Sequence, residues 1–131
     1  MNMKDERQFV GYSKYRSRLV DGHVHTELCP HGSGDRTAMM IEKAIELRIE
    51  KVCLTEHAPL PTAFAAEYGG DKKAYDTASL KLNEVDTYLE LGRQLQRAYG
   101  THIDISLGFE VDYIPGFESD IQEFFDRYGP L

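Results

Sequence analysis

The chain has 131 residues, enough for one domain with a hydrophobic core but too few for two ordinary domains or a closed eight-stranded α/β barrel. Hydrophobic residues make up 41% of the chain and charged residues 28%, a mix typical of folded globular proteins. The formal net charge of −7, without a dense cluster of Lys or Arg, argues against nucleic acid as a partner unless metal ions mediate the contact.

The cysteine count and the N-terminal segment bear on where the protein works. Only Cys29 and Cys53 occur, which gives no disulfide framework and favours a reducing cytoplasm. Residues 1–18 are polar and mixed in charge, and we predict that they form an extension before a domain spanning residues 19–131. Because no segment approaches 18 consecutive apolar residues, we expect neither a signal peptide nor a membrane span.

The first half of the chain is predicted to contain two strands and a helix. Residues 19–25 alternate as a strand does, and residues 26–34 have the Pro, Gly and Ser of a loop, with Ser33 or Asp35 placed to cap the next helix. Apolar residues at spacings of three and four predict that helix over residues 36–49. Residues 52–54 form a short apolar strand that is predicted to end near Glu56 and His57.

The second half is predicted to continue the alternation of strands and helices. The length of residues 58–76 and their Pro and Gly content predict a functional loop that contributes to a substrate pocket. We predict a helix over residues 80–99, a strand over 103–111 and a helix over 117–128. The buried face of the longest helix is predicted to consist of Leu82, Val85, Leu89, Gly92, Leu95 and Tyr99. This order favours a parallel α/β sheet with right-handed crossover connections.

Polar residues gather where the predicted strands end, the edge at which parallel α/β proteins bind their ligands. His23 and His25 are two residues apart on one strand, so their imidazoles leave the same face roughly 7 Å apart, a separation that one metal ion can bridge. Four of the five histidines and one glutamate fall at this edge, namely His23, His25, His31, His57 and Glu110. His102 lies at the opposite end of its strand, and we assign it no function.

Each of these residues alone is weak evidence, because single histidines are more often solvated or structural than metal-bound. Their coincidence at three strand ends carries the prediction of a metal centre. Imidazole and carboxylate ligands suit zinc, manganese or iron and offer too few oxygens for calcium, and the clustering implies two or three divalent ions. Asp21 and Glu56 are candidates to orient the ligand imidazoles, although solvated carboxylates fit these two positions equally well.

Four segments in order resemble the histidinol-phosphatase branch of the PHP family: residues 21–26 (DGHVHT), 29–33 (CPHGS), 55–61 (TEHAPLP) and 108–113 (GFEVDY). The resemblance spans roughly residues 20–131. It implies that His23 and His25 hold one metal ion and that Glu110 bridges two metal ions. It also implies that His31 and His57 lie on the side of the centre that holds a third metal ion. A histidine at position 31, where many PHP proteins have Asp, is typical of this branch.

The resemblance also implies an architecture, the distorted (β/α)7 barrel of the TIM-like PHP proteins, of which this chain has about three βα units. Later strands of the family supply a further His, another His or Cys, and an Asp-x-His pair. None of these follows in residues 111–131. We therefore expect a partial PHP domain that lacks the C-terminal strands and part of the metal site.

The activity implied by the resemblance is hydrolysis of L-histidinol phosphate to L-histidinol and phosphate, in histidine biosynthesis. Water activated by the metal ions would be the nucleophile, and no side chain is identified as catalytic. The alternative is a catalytically inactive metal-binding fragment that pairs with a complementary partner or with itself, because half a barrel exposes sheet edges. A PHP module of a DNA polymerase and a PHP-type protein-tyrosine phosphatase are weaker alternatives.

Overall fold

The computed structural model describes residues 19–67 and 72–131 of the chain. The strands are β1 (Val20–Val24), β2 (Lys51–His57) and β3 (Asp104–Glu110). The helices are α1 (Thr37–Glu46), α2 (Thr62–Glu67), α3 (Lys72–Ala78), α4 (Val85–Tyr99), which a 3₁₀ turn at Leu82–Glu84 precedes, and α5 (Glu118–Tyr128). The predicted extension over residues 1–18 lies outside the described residues, as do Gly69 and Gly70 of the predicted loop.

The three strands form one parallel sheet in the order β1-β2-β3, which confirms the predicted mixed α/β class. β2 and β3 pair without interruption from Lys51 opposite Asp104 to His57 opposite Glu110. The pairing of β1 with β2 is irregular, because Val20 lies opposite Lys51 whereas Val24 lies opposite Leu54. β1 therefore contains one extra residue, a bulge that changes the direction of the side chains near its end.

One face of the sheet carries the hydrophobic core. Alternate residues of β2 are buried, and Val52 and Leu54 pack with Ile105 of β3 against α1 and α4. The ring of Phe109 meets Tyr88 of α4 at 5.3 Å and Phe124 of α5 at 5.0 Å between ring centroids, which anchors both helices to β3. Burying each such large apolar side chain contributes about 1.5–3 kcal/mol. Among the described helices, none has the length and apolar composition needed to cross a bilayer.

Helix α1 is shorter than predicted and is capped differently. It ends at Glu46 rather than at residue 49, because Arg48 adopts a left-handed backbone conformation with φ of 58°. The predicted capping by Ser33 or Asp35 is wrong, since these two side chains hydrogen-bond to each other at 3.0 Å. The backbone N–H of Thr37 instead donates to Glu27 Oε2 at 2.7 Å, so a carboxylate from the preceding loop stabilises the start of the helix.

Two further predictions differ from the structure between β2 and β3. The segment 58–76 is not a plain loop, because it contains α2 and most of α3. The predicted helix from residue 80 begins as an α-helix only at Val85, because the backbone N–H of Leu80 donates to the carbonyl oxygen of His57 at 3.2 Å and holds this segment to the end of β2. As a result Leu82 is 54% exposed, whereas Tyr88, which the predicted face omitted, is fully buried.

Candidate metal centre

The carboxylate at the end of β3 lies among imidazoles from the two other strand ends. Glu110 Oε2 is 2.8 Å from His23 Nε2, 3.1 Å from His25 Nε2 and 3.5 Å from His57 Nδ1. The continuous register of β2 and β3 explains the last of these contacts, since it places His57 directly opposite Glu110. A single carboxylate oxygen is thus shared by three imidazoles.

The two histidines at the end of β1 converge on one point. An ordinary strand would separate the two side chains by roughly 7 Å. In the structure His23 Nε2 and His25 Nε2 are only 3.0 Å apart, with ring centroids at 5.0 Å. The two donor atoms are therefore much closer together than the spacing along the strand at which their side chains leave it.

Donor atoms of His23, His25 and Glu110 form a triangle with sides of 2.8, 3.0 and 3.1 Å. An ion with bonds of about 2.0–2.1 Å to nitrogen and oxygen holds neighbouring ligands about 2.8–3.4 Å apart, depending on whether its coordination is octahedral or tetrahedral. The three donors therefore fit one divalent ion without movement of the backbone. Their chemistry, two imidazoles and a carboxylate, suits zinc, manganese or iron.

Glu56 controls which nitrogen of His25 faces the triangle. Its carboxylate is fully buried, with Oε1 2.7 Å from His25 Nδ1 and Oε2 accepting a hydrogen bond from Thr26 Oγ1 at 2.8 Å. With the Glu56 carboxylate as the acceptor, the Nδ1–H of His25 donates and its Nε2 lone pair is directed at the cluster. Asp21 differs, because its Oδ1 lies 3.4 Å from the backbone nitrogen of His23 rather than beside an imidazole.

A second group of donors lies on the far side of His57. His57 Nε2 is 3.1 Å from His31 Nε2, while the Nδ1–H of His31 donates to the carbonyl oxygen of Thr77 at 2.8 Å. The Nε2 lone pair of His31 is therefore directed at His57. One donor atom each from His25, Cys29 and His57 also lies within 4.8 Å of the other two. Sequence reasoning missed Cys29, although its position two residues before His31 in the same loop was a usable signal.

The cluster shifts the pKa values of two of its members. Burial lowers the pKa of His57 below 6.5, an effect that the nearby Glu110 carboxylate opposes and the imidazoles of His25 and His31 reinforce. Burial acts to raise the pKa of Glu110, but the hydrogen bond from His23 and the neighbouring imidazoles lower it overall. His102 is remote from the cluster, with Nδ1 2.9 Å from Thr101 Oγ1 at the other end of β3.

Comparisons with known proteins place this site in a family context. The PHP domain profile matches residues 21–129. The histidinol-phosphatase of Bacillus subtilis is 37% identical over 110 residues, which cover 84% of this chain and 39% of that protein. A Deinococcus radiodurans protein, provisionally named a histidinol-phosphatase, is 27% identical over 105 residues. These residues cover 80% of this chain and 36% of that protein.

A solved structure agrees with these relatives. The crystal structure of a Listeria monocytogenes protein, provisionally described as a histidinol phosphatase, superposes with a TM-score of 0.81 at 40% sequence identity. The superposition covers 85% of this chain and 41% of that one. The chain thus spans about two fifths of the length of the curated relatives that it matches.

Proposed function

The chain belongs to the PHP domain family, and from that premise we propose that its strand-end cluster is the metal centre of a phosphomonoester hydrolase. The observation that carries the proposal is the triangle of donors from His23, His25 and Glu110, with sides of 2.8–3.1 Å. At this spacing the two imidazole nitrogens and the carboxylate oxygen surround a single point, as the ligands of one divalent ion do. His31 and His57 form the second part of the proposed centre, which would hold two or three divalent ions of zinc, manganese or iron.

The proposed substrate is L-histidinol phosphate, hydrolysed to L-histidinol and phosphate in histidine biosynthesis. Support comes from the relatives, which carry the name histidinol-phosphatase at up to 37% identity. Support also comes from charge, because a protein with a net charge of −7 needs bound cations to retain a phosphate dianion. The activity and substrate are proposed for the whole protein. The Bacillus subtilis relative is more than twice as long as this chain.

The residues of the chain divide the work of such a centre. Bound divalent ions would polarise the phosphoryl group and activate water. His23, His25 and Glu110 would hold these ions, and the approach of Glu110 Oε2 to His57 supports a role for Glu110 on both sides of the proposed centre. Glu56 orients His25 by accepting a hydrogen bond from its Nδ1–H, and the Thr77 carbonyl does the same for His31. No side chain in the described residues is assigned as a nucleophile.

We also propose that the sheet forms part of a distorted (β/α)7 barrel of the TIM-like PHP type, and that residues 19–131 are a partial PHP domain. The parallel order of the strands and the placement of the donors at their carboxyl ends support this architecture. Both cysteines are free thiols, which supports the reducing cytoplasm as the compartment.

The test combines metal analysis with an assay of phosphate release. The purified chain, dialysed against zinc, manganese or iron(II), should retain metal by elemental analysis, and His23→Ala combined with His25→Ala should remove metal with little change in helix content by circular dichroism. His102→Ala is the matched control, because its imidazole lies outside the cluster. An unchanged metal content in the double variant would contradict the site. Phosphate release from L-histidinol phosphate, compared with a simple aryl phosphate, tests the substrate.

A second candidate is a metal-binding unit without turnover that associates with itself or with a complementary chain. It is favoured by the exposure of β1, where Leu19 and Val20 are each 52% exposed beside an unpaired strand edge of the described sheet. Sedimentation velocity across a concentration series tests association. Bound metal without phosphate release would support this candidate, whereas turnover by the monomeric chain would reject it.

A further inference from the structure

The loop after β1 folds around the side chain of Cys29. The backbone N–H of Cys29 donates to the carbonyl oxygen of Thr26 at 3.1 Å, and the N–H of Gly32 donates to the carbonyl oxygen of Cys29 at 3.2 Å. A Cβ atom at position 32 would lie 3.2 Å from Cys29 Cβ and 3.7 Å from its Sγ, so a side chain there would crowd the Cβ of Cys29. Two consecutive turns therefore fix the backbone position of Cys29.

The surroundings of this thiol are not those of an ordinary core cysteine. Cys29 is only 8% exposed, yet within the described part of the chain it lies outside the main hydrophobic core. Two imidazoles lie close to it, because donor atoms of His25, Cys29 and His57 all lie within 4.8 Å of one another. A buried thiol used only for packing would be expected among aliphatic side chains.

The distances suit a shared ion. Zinc bound to sulfur at about 2.3 Å and to nitrogen at about 2.0–2.1 Å holds the two donors about 3.5 Å apart. The upper bound of 4.8 Å exceeds this by an amount that rotation of a side chain about χ1 can close. His31 Nε2, 3.1 Å from His57 Nε2, offers a further donor on the same side.

We propose that Cys29 binds metal as a thiolate beside His57, an inference that rests on the metal centre proposed above. Coordination forms one metal–sulfur bond and releases one proton from the thiol to solvent. Soft sulfur prefers zinc, iron or cobalt to manganese or magnesium, so Cys29 narrows the metals that this side of the centre accepts. The thiol thereby determines metal selectivity rather than taking part in the chemistry of hydrolysis.

Cobalt(II) provides the test, because a cobalt–thiolate bond gives a near-ultraviolet charge-transfer band that cobalt bound to imidazole and carboxylate lacks. The reduced, metal-free chain is titrated with cobalt under argon, with bound metal measured in parallel by elemental analysis. The band should appear with the wild-type chain and with Cys53→Ser, the matched control, and should be lost with Cys29→Ser. A second measurement needs no substitution: bound zinc should slow alkylation of Cys29 by iodoacetamide relative to Cys53, as read by mass spectrometry.

The outcomes separate the two proposals. Cobalt that binds without the band, or a band that survives in Cys29→Ser, would overturn the thiolate ligand and leave the metal centre intact. A wild-type chain that binds no cobalt would overturn both. If Cys29→Ser does not fold, the alkylation experiment decides, and equal alkylation of Cys29 with and without bound zinc rejects the proposal.

Discussion

Replacing Glu56 with Gln should weaken metal binding without changing any ligand. The side chain keeps its volume, but one amide oxygen cannot accept from both His25 Nδ1 and Thr26 Oγ1, which are now 2.7 and 2.8 Å from the two carboxylate oxygens. If the amide nitrogen faces His25, the imidazole must move its proton to Nε2, the nitrogen directed at the cluster. Loss of the hydrogen-bond acceptor that orients a metal-binding imidazole typically lowers metal affinity about 10–100-fold.

The magnitude follows from this geometry. A tenfold to hundredfold loss of affinity corresponds to about 1.4–2.8 kcal/mol. Because Glu56 is fully buried, the metal-free chain should also lose about 1–3 kcal/mol of unfolding free energy from the donor left without an acceptor. Zinc affinity is measured by competition with a chromophoric chelator, and stability by urea unfolding of the metal-free chain.

Glu27→Gln is the matched control for this experiment. Glu27 is also a loop carboxylate hydrogen-bonded to a threonine, Thr37, but its described contacts cap α1 and involve no imidazole. We expect Glu27→Gln to lower stability and to leave zinc affinity unchanged. Wild-type affinity in Glu56→Gln, or an equal loss of affinity in both variants, would refute the reasoning.

Three further predictions concern stability. Tyr88→Phe should lower the free energy of urea unfolding by about 1–3 kcal/mol, because the buried hydroxyl lies 3.0 and 2.7 Å from two strand carbonyl oxygens, whereas Tyr113→Phe, at an exposed ring, should not. Gly92→Ala should lower the melting temperature, since its Cβ would lie 2.0 Å from Leu107 Cδ1; an unchanged value would show that the Leu107 side chain can move aside at no cost. Acidification from pH 7 to 5 should destabilise the metal-free chain, because His57 takes up a proton near pH 6.5 when unfolded and only at lower pH when folded; a slope unaltered by His57→Gln would contradict this.

The sequence was sufficient to predict which strand ends meet, but not how their side chains are aimed. Period-two alternation placed Glu110 at one strand end and a short apolar run placed His57 at the neighbouring one, and the parallel register agrees with both placements. The 3.0 Å approach of His23 to His25 lies beside an irregularity in the pairing of β1 with β2, which the residue pattern of β1 did not predict.

Other differences have the same origin in contacts between distant segments. Glu27 caps a helix ten residues later because the loop after β1 folds back, which no local capping signal encodes. The hydroxyl of Tyr88 donates to carbonyl oxygens of two strands, which allows this polar side chain to be buried. The polarity of tyrosine was therefore no guide to its exposure. Cys29 joins the imidazoles through two backbone turns, and only the assembled loop brings its thiol to them.

The hydrogen bonds that orient His25 and His31 have a kinetic consequence. Because the Nδ1–H groups of the two rings donate to Glu56 and to the Thr77 carbonyl, each ring would present its Nε2 to an arriving ion without a ring flip. The speed of loading at these nitrogens is then governed by how quickly the ion sheds its own water shell. Magnesium, which dehydrates reluctantly, would enter far more slowly than zinc even at concentrations where both could occupy the site.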